Sequence, residues 1–294
     1  VLSIVSKQFL SVGNLMNVAG QAAVNSIISI GLFLAILTSG IDLSVGSVLA
    51  LSTMFMGLFA KNFNMNPYLA LLSCLVIGTL LGLMNGLMLT KMRLPHPFIS
   101  TMGMKQIARG LCLVVTATLP VYGFADPIVF LGNATVGRMP VSFILVAVLY
   151  ITMYFFLTRT KTGRYIYAVG GNKEAARLSG INVDGILNLV YSMSGFMAAL
   201  AGIVLVGRVN TAYPLAGQDY ETDAIAAVII GGASFFGGVG KIGNTIVGVL
   251  LIAVLRNGLN LMGVPSAWQT TTIGAVIIIA VFIDVLRQGL GKKA

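Results

Sequence analysis

The sequence predicts an all-α, polytopic transmembrane bundle of about ten spans, and three observations predict it. The first is composition: 57% of the 294 residues are hydrophobic and 9% are charged, with a mean hydropathy of +0.96. A soluble domain averages about 45–50% apolar and about 25% charged residues. The second is length. Uncharged apolar runs such as 16–38, 67–90, 141–158, 186–207 and 264–283 match the roughly 20 helical residues that cross a bilayer. The third is the placement of basic residues. With the missing N-terminal part inside, 11 of the 18 (Lys91, Arg93, Arg159, Lys161, Arg164, Lys173, Arg177, Lys241, Arg287, Lys292 and Lys293) fall in inside loops. Only Lys7, Lys61, Arg138 and Arg208 fall outside, while Lys105, Arg109 and Arg256 lie within spans. That bias puts both termini in the cytoplasm.

The spans follow in order. The chain opens on Val1, and the run 1–6 is too short to cross. The expectation is a first crossing represented only by its tail; a cleaved signal peptide is the weaker reading, since no small-residue cleavage site follows. The others are read at 16–38, 42–59, 67–90, 97–118, 141–158, 187–207, 223–237, 243–262 and 266–286, all within a single domain, 1–294. Near 223–243 the density of Gly231, Gly232, Gly237, Gly238, Gly240 and Gly243 argues against a continuous helix. Broken helices survive at membrane depth only where protein or a water-filled cavity covers the freed backbone groups. Two segments, 78–89 and 248–261, share an Asn-Gly-Leu ending, either an internal repeat or chance between Leu/Gly-rich helices. Gly78, Gly82 and Gly86 mark a face that lets another backbone come close.

Several functions are set aside. The net charge of +10 is scattered through short loops, so no nucleic acid is expected. Cys74 and Cys112 lie in apolar runs and form neither a disulfide framework nor a metal-ligand spacing. No Walker A glycine loop is present, and no nucleophile–base pair. The chain is read as having no catalytic residue, metal or cofactor of its own.

One stretch looks soluble. Within the loop 159–187, Gly170 and Gly171 break the preceding structure and Asn172 can cap a new helix. Glu174 suits its positive end, and Lys173, Ala175, Ala176, Arg177 and Leu178 continue it. Gly180 can take the left-handed conformation that ends a helix, with Ile181 folding back onto Ala176. About two turns of helix are unstable alone in water. The helix must therefore rest on its own bundle or enter a groove on a partner, and both readings stand on the residues.

Here a resemblance enters. Glu-Ala-Ala-Arg-Leu-Ser-Gly at 174–180 fits the E-A-A-x-x-x-G pattern of the coupling helix in ATP-binding-cassette importer permeases. TSGIDLSVGS at 38–47 resembles the signature of the ribose/xylose-type branch. Residues 163–183, 220–245 and 257–264 are similar to it as well, so the likeness covers nearly the whole chain. It implies a permease subunit in a bacterial inner membrane, paired with a second copy. Cytoplasmic ATPase subunits carrying ATP and Mg would bind Asn172–Gly180, and a periplasmic sugar-binding protein would dock opposite. Translocation would be by alternating access. Ribose is the first expectation, with xylose, allose or a related sugar behind it. The full first crossing of the family is the one feature this sequence lacks. The rivals are a branched-chain amino-acid permease, an ion-driven carrier and an intramembrane enzyme.

Ionisable residues at membrane depth are candidates for function by default. Asp42 either caps the helix that follows it or forms part of a gate. Lys105 and Arg109 share a helical face, and Asp42 is the expected partner of Arg109. Arg256 is read as an interfacial or interhelical hydrogen-bonding group. Ser44, Ser47, Asn85 and Asn257 are candidates for the polar route, together with Asn25, Ser26 and Thr101. His96 is read as a loop histidine. Lys61, Arg138 and Arg208 are docking candidates; Arg208 and the acids Asp219, Glu221 and Asp223 form either a solvated loop with local ion pairs or a docking surface.

Overall fold

The computed structural model describes residues 9–291. The expected tail of a first crossing, Lys7, Lys292 and Lys293 lie outside the described residues. Twelve helices follow in order: α1 (Val12–Leu37), α2 (Val45–Lys61), α3 (Pro67–Thr90), α4 (Pro97–Val115), α5 (Asp126–Asn133), α6 (Val141–Arg159), α7 (Lys161–Gly171), α8 (Lys173–Leu178), α9 (Val183–Val209), α10 (Tyr220–Ile230), α11 (Ile242–Leu261) and α12 (Ser266–Gly291). Seven are long and apolar enough to cross a membrane. The exceptions among the expected spans are α2, with 17 residues, and α10, with 11. Two-residue strands complete the loops: β1 (Val121–Tyr122) pairs antiparallel with β4 (Thr211–Ala212), and β2 (Thr135–Val136) with β3 (Met139–Pro140).

Side chains set many of the helix starts. Asn66 and His96 each accept from the backbone N–H two residues on, with a proline as the first helical residue. That proline position suits a helix because its missing N–H would have had no partner. Thr160 and Asn182 cap α7 and α9 by accepting from Gly163 and Gly185. His96 is thereby a cap, in keeping with its reading as a loop residue.

The bundle is layered around two helices. Over their most apolar stretch α1 is 89% buried and α9 78%, whereas α3 is 22% and α12 11% buried. The exposed apolar sides of α3, α4, α6 and α12 are what a lipid surround requires. Glycine makes the central contact. A Cβ on Gly82 would strike the carbonyl of Tyr191, and one on Gly195 the carbonyl of Gly78. The Gly78–Gly82–Gly86 face is therefore a packing face on α9. The eight-residue α5, unread in the sequence because it lies between spans, docks on α9 in the same way through Gly132 and Gly207.

The expected break after 223 is present. Helix α10 stops at Ile230, and residues 231–240 run back non-helically with Gly232, Gly237, Gly238 and Gly240 all at positive φ.

Candidate functional site

The loop helix α8 is fixed by its ends. Asn172 Oδ1 accepts from the Ala175 N–H at 3.0 Å. At the other end Gly180 has φ +79°; its N–H reaches Arg177 O at 3.0 Å and the Ile181 N–H reaches Ala176 O at 3.1 Å. This pair of bonds is the Schellman closure, as the sequence led one to expect. Ala176 is buried against the bundle. Leu178 faces outward with 88% of its surface exposed, and Glu174 and Arg177 form an exposed 2.8 Å ion pair. Partial burial holds the Lys173 ammonium below the ordinary lysine pKa. The helix both rests on its own bundle and presents a large apolar side chain to whatever lies above it.

At membrane depth the expected Asp42–Arg109 pair does not form. Arg109 Nη1 donates to the carbonyls of Pro214 (2.5 Å) and Ala216 (3.0 Å). Asp42 is instead enclosed at the α1–α2 break and accepts from Ser44 N–H at 2.9 Å, Ser44 Oγ at 2.6 Å and Ser194 Oγ at 2.7 Å. Asn85 Nδ2 donates to Ser44 Oγ at 2.9 Å. The face of α4 that carries both basic residues points at the segment 213–221, while Asp42 points at α9; spacing along one helix could not reveal that. Ser194 was missed because nothing local distinguishes it from other membrane serines.

Of the route candidates, Asp42, Ser44 and Asn85 thus form one buried cluster and Ser47 lies one turn further along α2, buried as well. Asn257 is elsewhere, in a reciprocal amide pair with Asn14 at 2.9 Å in each direction. Thr101 bonds Ile41 O.

At the end opposite α8, Lys61 and Arg138 are exposed, and Arg208 is half-buried beside Gly20 of α1. The acids correct the expectation of a solvated loop: two of them are buried, and their ion pairs are with distant helices, not within the loop. Glu221 and Asp223 are 3% and 2% exposed because α10 has already begun at Tyr220. Glu221 meets Lys105 at 2.5 Å and Asp223 meets Arg256 at 2.7 Å. Carboxylates in the first turn also suit the helix dipole. Arg256 is interhelical, the second of its two expected roles. Asp219 alone of the three is exposed.

Among the described residues, seven helices long and apolar enough to span, two of them forming a buried central pair, with a capped helix held out at one end, define a multi-pass membrane protein. The chain belongs to the family described as branched-chain amino acid transport system / permease component, which matches residues 14–281. It is 41% identical over 292 residues to the ribose import permease protein RbsC of Escherichia coli (strain K12), covering 98% of this chain and 90% of that protein. The ribose import permease protein RbsC of Bacillus subtilis (strain 168) is 42% identical, over 97% of this chain and 88% of the relative. The D-allose transport system permease protein AlsC of Escherichia coli (strain K12) is 41% identical, over 96% and 86%. No solved structure matches. The expectation of an ATP-binding-cassette importer permease of the ribose type is borne out.

Proposed function

We propose that this chain carries a monosaccharide, ribose first among them, across a bacterial inner membrane as one of two identical permease subunits, with both termini cytoplasmic. ATP and Mg belong to separate ATPase subunits that grip α8 from the cytoplasm, and a periplasmic sugar-binding protein docks at the opposite end, near Lys61, Arg138 and Arg208. The observation that carries the reading is α8 itself: capped at both ends, with Ala176 on the bundle and Leu178, Glu174 and Arg177 turned outward. Likeness to ribose and allose permeases over nearly the whole chain supports a sugar over a branched-chain amino acid. The basic residues Lys91, Arg93, Arg159, Lys161, Arg164 and Lys241 are exposed, which supports the orientation.

The mechanism follows from the parts. ATP binding and hydrolysis in the partner displace the two α8 helices, and the space between permease subunits opens to one side and then the other. This chain contributes shape and polar contacts, with no covalent step. The test is capture of the tagged chain from gently solubilised membranes. An ATPase subunit should co-purify and be lost with Ala175→Pro, which removes the N–H that Asn172 caps and bars Glu174 from the helical conformation. A chain that emerges alone at every detergent strength would favour an ion-driven carrier, with Asp42 the first residue to probe.

A further inference from the structure

The tie between α8 and the transmembrane helices is local and can be read bond by bond. Helix α7 precedes α8 with only Asn172 between them. From α7, the Tyr167 hydroxyl donates to Gly240 O at 2.8 Å. The carbonyl of Gly170 lies 3.0 Å from Ser39 Oγ, and the same hydroxyl lies 2.8 Å from Phe236 O. The Gly238 N–H reaches Leu37 O, the last residue of α1, at 2.9 Å. Backbones touch here: a Cβ on Gly170 would strike the Leu37 carbonyl, and one on Gly238 would sit 2.9 Å from Gly171 Cα. So the end of α7, the end of α1 and the loop 231–240 form one knot, and that loop runs directly into α10.

Three features suit the knot to movement. A serine hydroxyl has a single proton, so Ser39 serves one of its two carbonyls well at a time and can pass between them. The loop is rich in glycine at positive φ, where the backbone is least restricted. The loop also borders an open cleft of about 720 Å³, lined by Gly170 and Gly171 of the knot together with Phe236, Val239, Leu251 and Ile283, where the Phe235 N–H donates to Asp284 Oδ2 at 3.3 Å. Burial raises the pKa of the Tyr167 phenol, so it remains a donor at neutral pH.

Resting on the reading of α8 as the ATPase contact, we propose that Tyr167 and Ser39 are positioning residues that pass the displacement of α8 to the loop 231–240 and thence to the half-helix α10. Their role is to link two motions, not to hold the fold or to touch sugar.

The test uses the complete complex, permease with ATPase and binding protein, in proteoliposomes. Tyr167→Phe and Ser39→Ala each remove one hydroxyl. The ATPase should still co-purify and hydrolyse ATP, while ribose taken up per ATP hydrolysed falls by roughly three- to tenfold, the scale of one lost hydrogen bond. Thr158→Val, which removes a hydroxyl bonded only within α6, should leave the ratio unchanged. An unchanged ratio in the Tyr167→Phe, Ser39→Ala double variant overturns the proposal. A second measurement requires no disruptive change. Val239→Cys places a thiol on the exposed loop, where the native Cys74 and Cys112 are buried. Its rate of modification by a soluble maleimide should differ between the nucleotide-free and nucleotide-trapped complex, and Tyr167→Phe should abolish the difference. Equal rates in the unsubstituted background overturn the proposal even if Ser39→Ala fails to fold. Failure of the ATPase to co-purify with the unsubstituted chain removes the reading of α8 instead, and this inference with it.

Discussion

The two ends of half-helix α10 are held by different physics. At its start, Glu221 and Asp223 are buried against Lys105 and Arg256, and Arg109 grips the carbonyls of Pro214 and Ala216 just before it. At its finish, the glycine loop is tied by hydrogen bonds from Tyr167, Ser39 and the backbone, and by the Phe235 N–H donating to Asp284 Oδ2 at 3.3 Å. A desolvated charge pair cannot lose one partner without stranding the other. A hydroxyl–carbonyl bond can be lost at a net cost of about 1 kcal/mol, and less when another replaces it. The first end is an anchor and the second an adjustable joint, which places the softer contacts beside the helix expected to receive the motor.

The largest effect should come from breaking the anchor. Asp223→Ala leaves Arg256 uncompensated; because that arginine is 32% exposed, the loss should be nearer 2–3 than the full 3–5 kcal/mol, as order-of-magnitude figures. The measurement is the thermal midpoint in detergent. A double change, Asp223→Leu with Arg256→Met, should recover most of it, and no recovery would show that the pair does more than cancel charge. A smaller loss, about 1 kcal/mol and confined to α8, should follow Gly180→Ala, which forces a side chain onto φ +79°. The bundle should melt unchanged while ATPase retention weakens severalfold.

Asn172→Ala, which removes the cap on Ala175 N–H, should cost about 1 kcal/mol or less and weaken retention to a similar or lesser degree. If either variant destabilises the whole bundle, α8 is a structural support and the contrast between the two ends blurs. The smallest effect is expected at Arg138→Glu. Its exposed turn position keeps stability within about 0.5 kcal/mol, while binding-protein affinity and its salt dependence should drop. Unchanged affinity would remove Arg138 from the docking surface.

Some features were legible because their cause is local. The caps of α8 at Asn172 and Gly180 follow from the conformational preferences of those residues and needed no distant partner. The interruption after Ile230 was announced by glycines whose freedom a helix cannot use. The partner of Asp42 was not legible. Ser194 lies 152 positions away and is one of many membrane serines, and helical spacing says which residues share a face without saying what that face meets. Glu221 and Asp223 misled for a related reason: acids near a loop look solvated until the start of α10 is known.

The sequence by itself determined that this chain is a membrane-spanning helical bundle, that it bears a short capped helix in a basic loop, and which family it resembles. Each rests on composition, periodicity or a contiguous motif, and each is a property of residues near one another in the chain. Only the tertiary structure decided that α1 and α9 form the centre, that Asp42 is satisfied by hydroxyls and a backbone N–H in place of an arginine, and that α7, the helix just before the loop helix, is knotted to the glycine loop through Ser39 and Tyr167. Those are choices among partners far apart in sequence, and the helix packing that brings them together is settled by glycine contacts and buried polar pairing across the whole bundle.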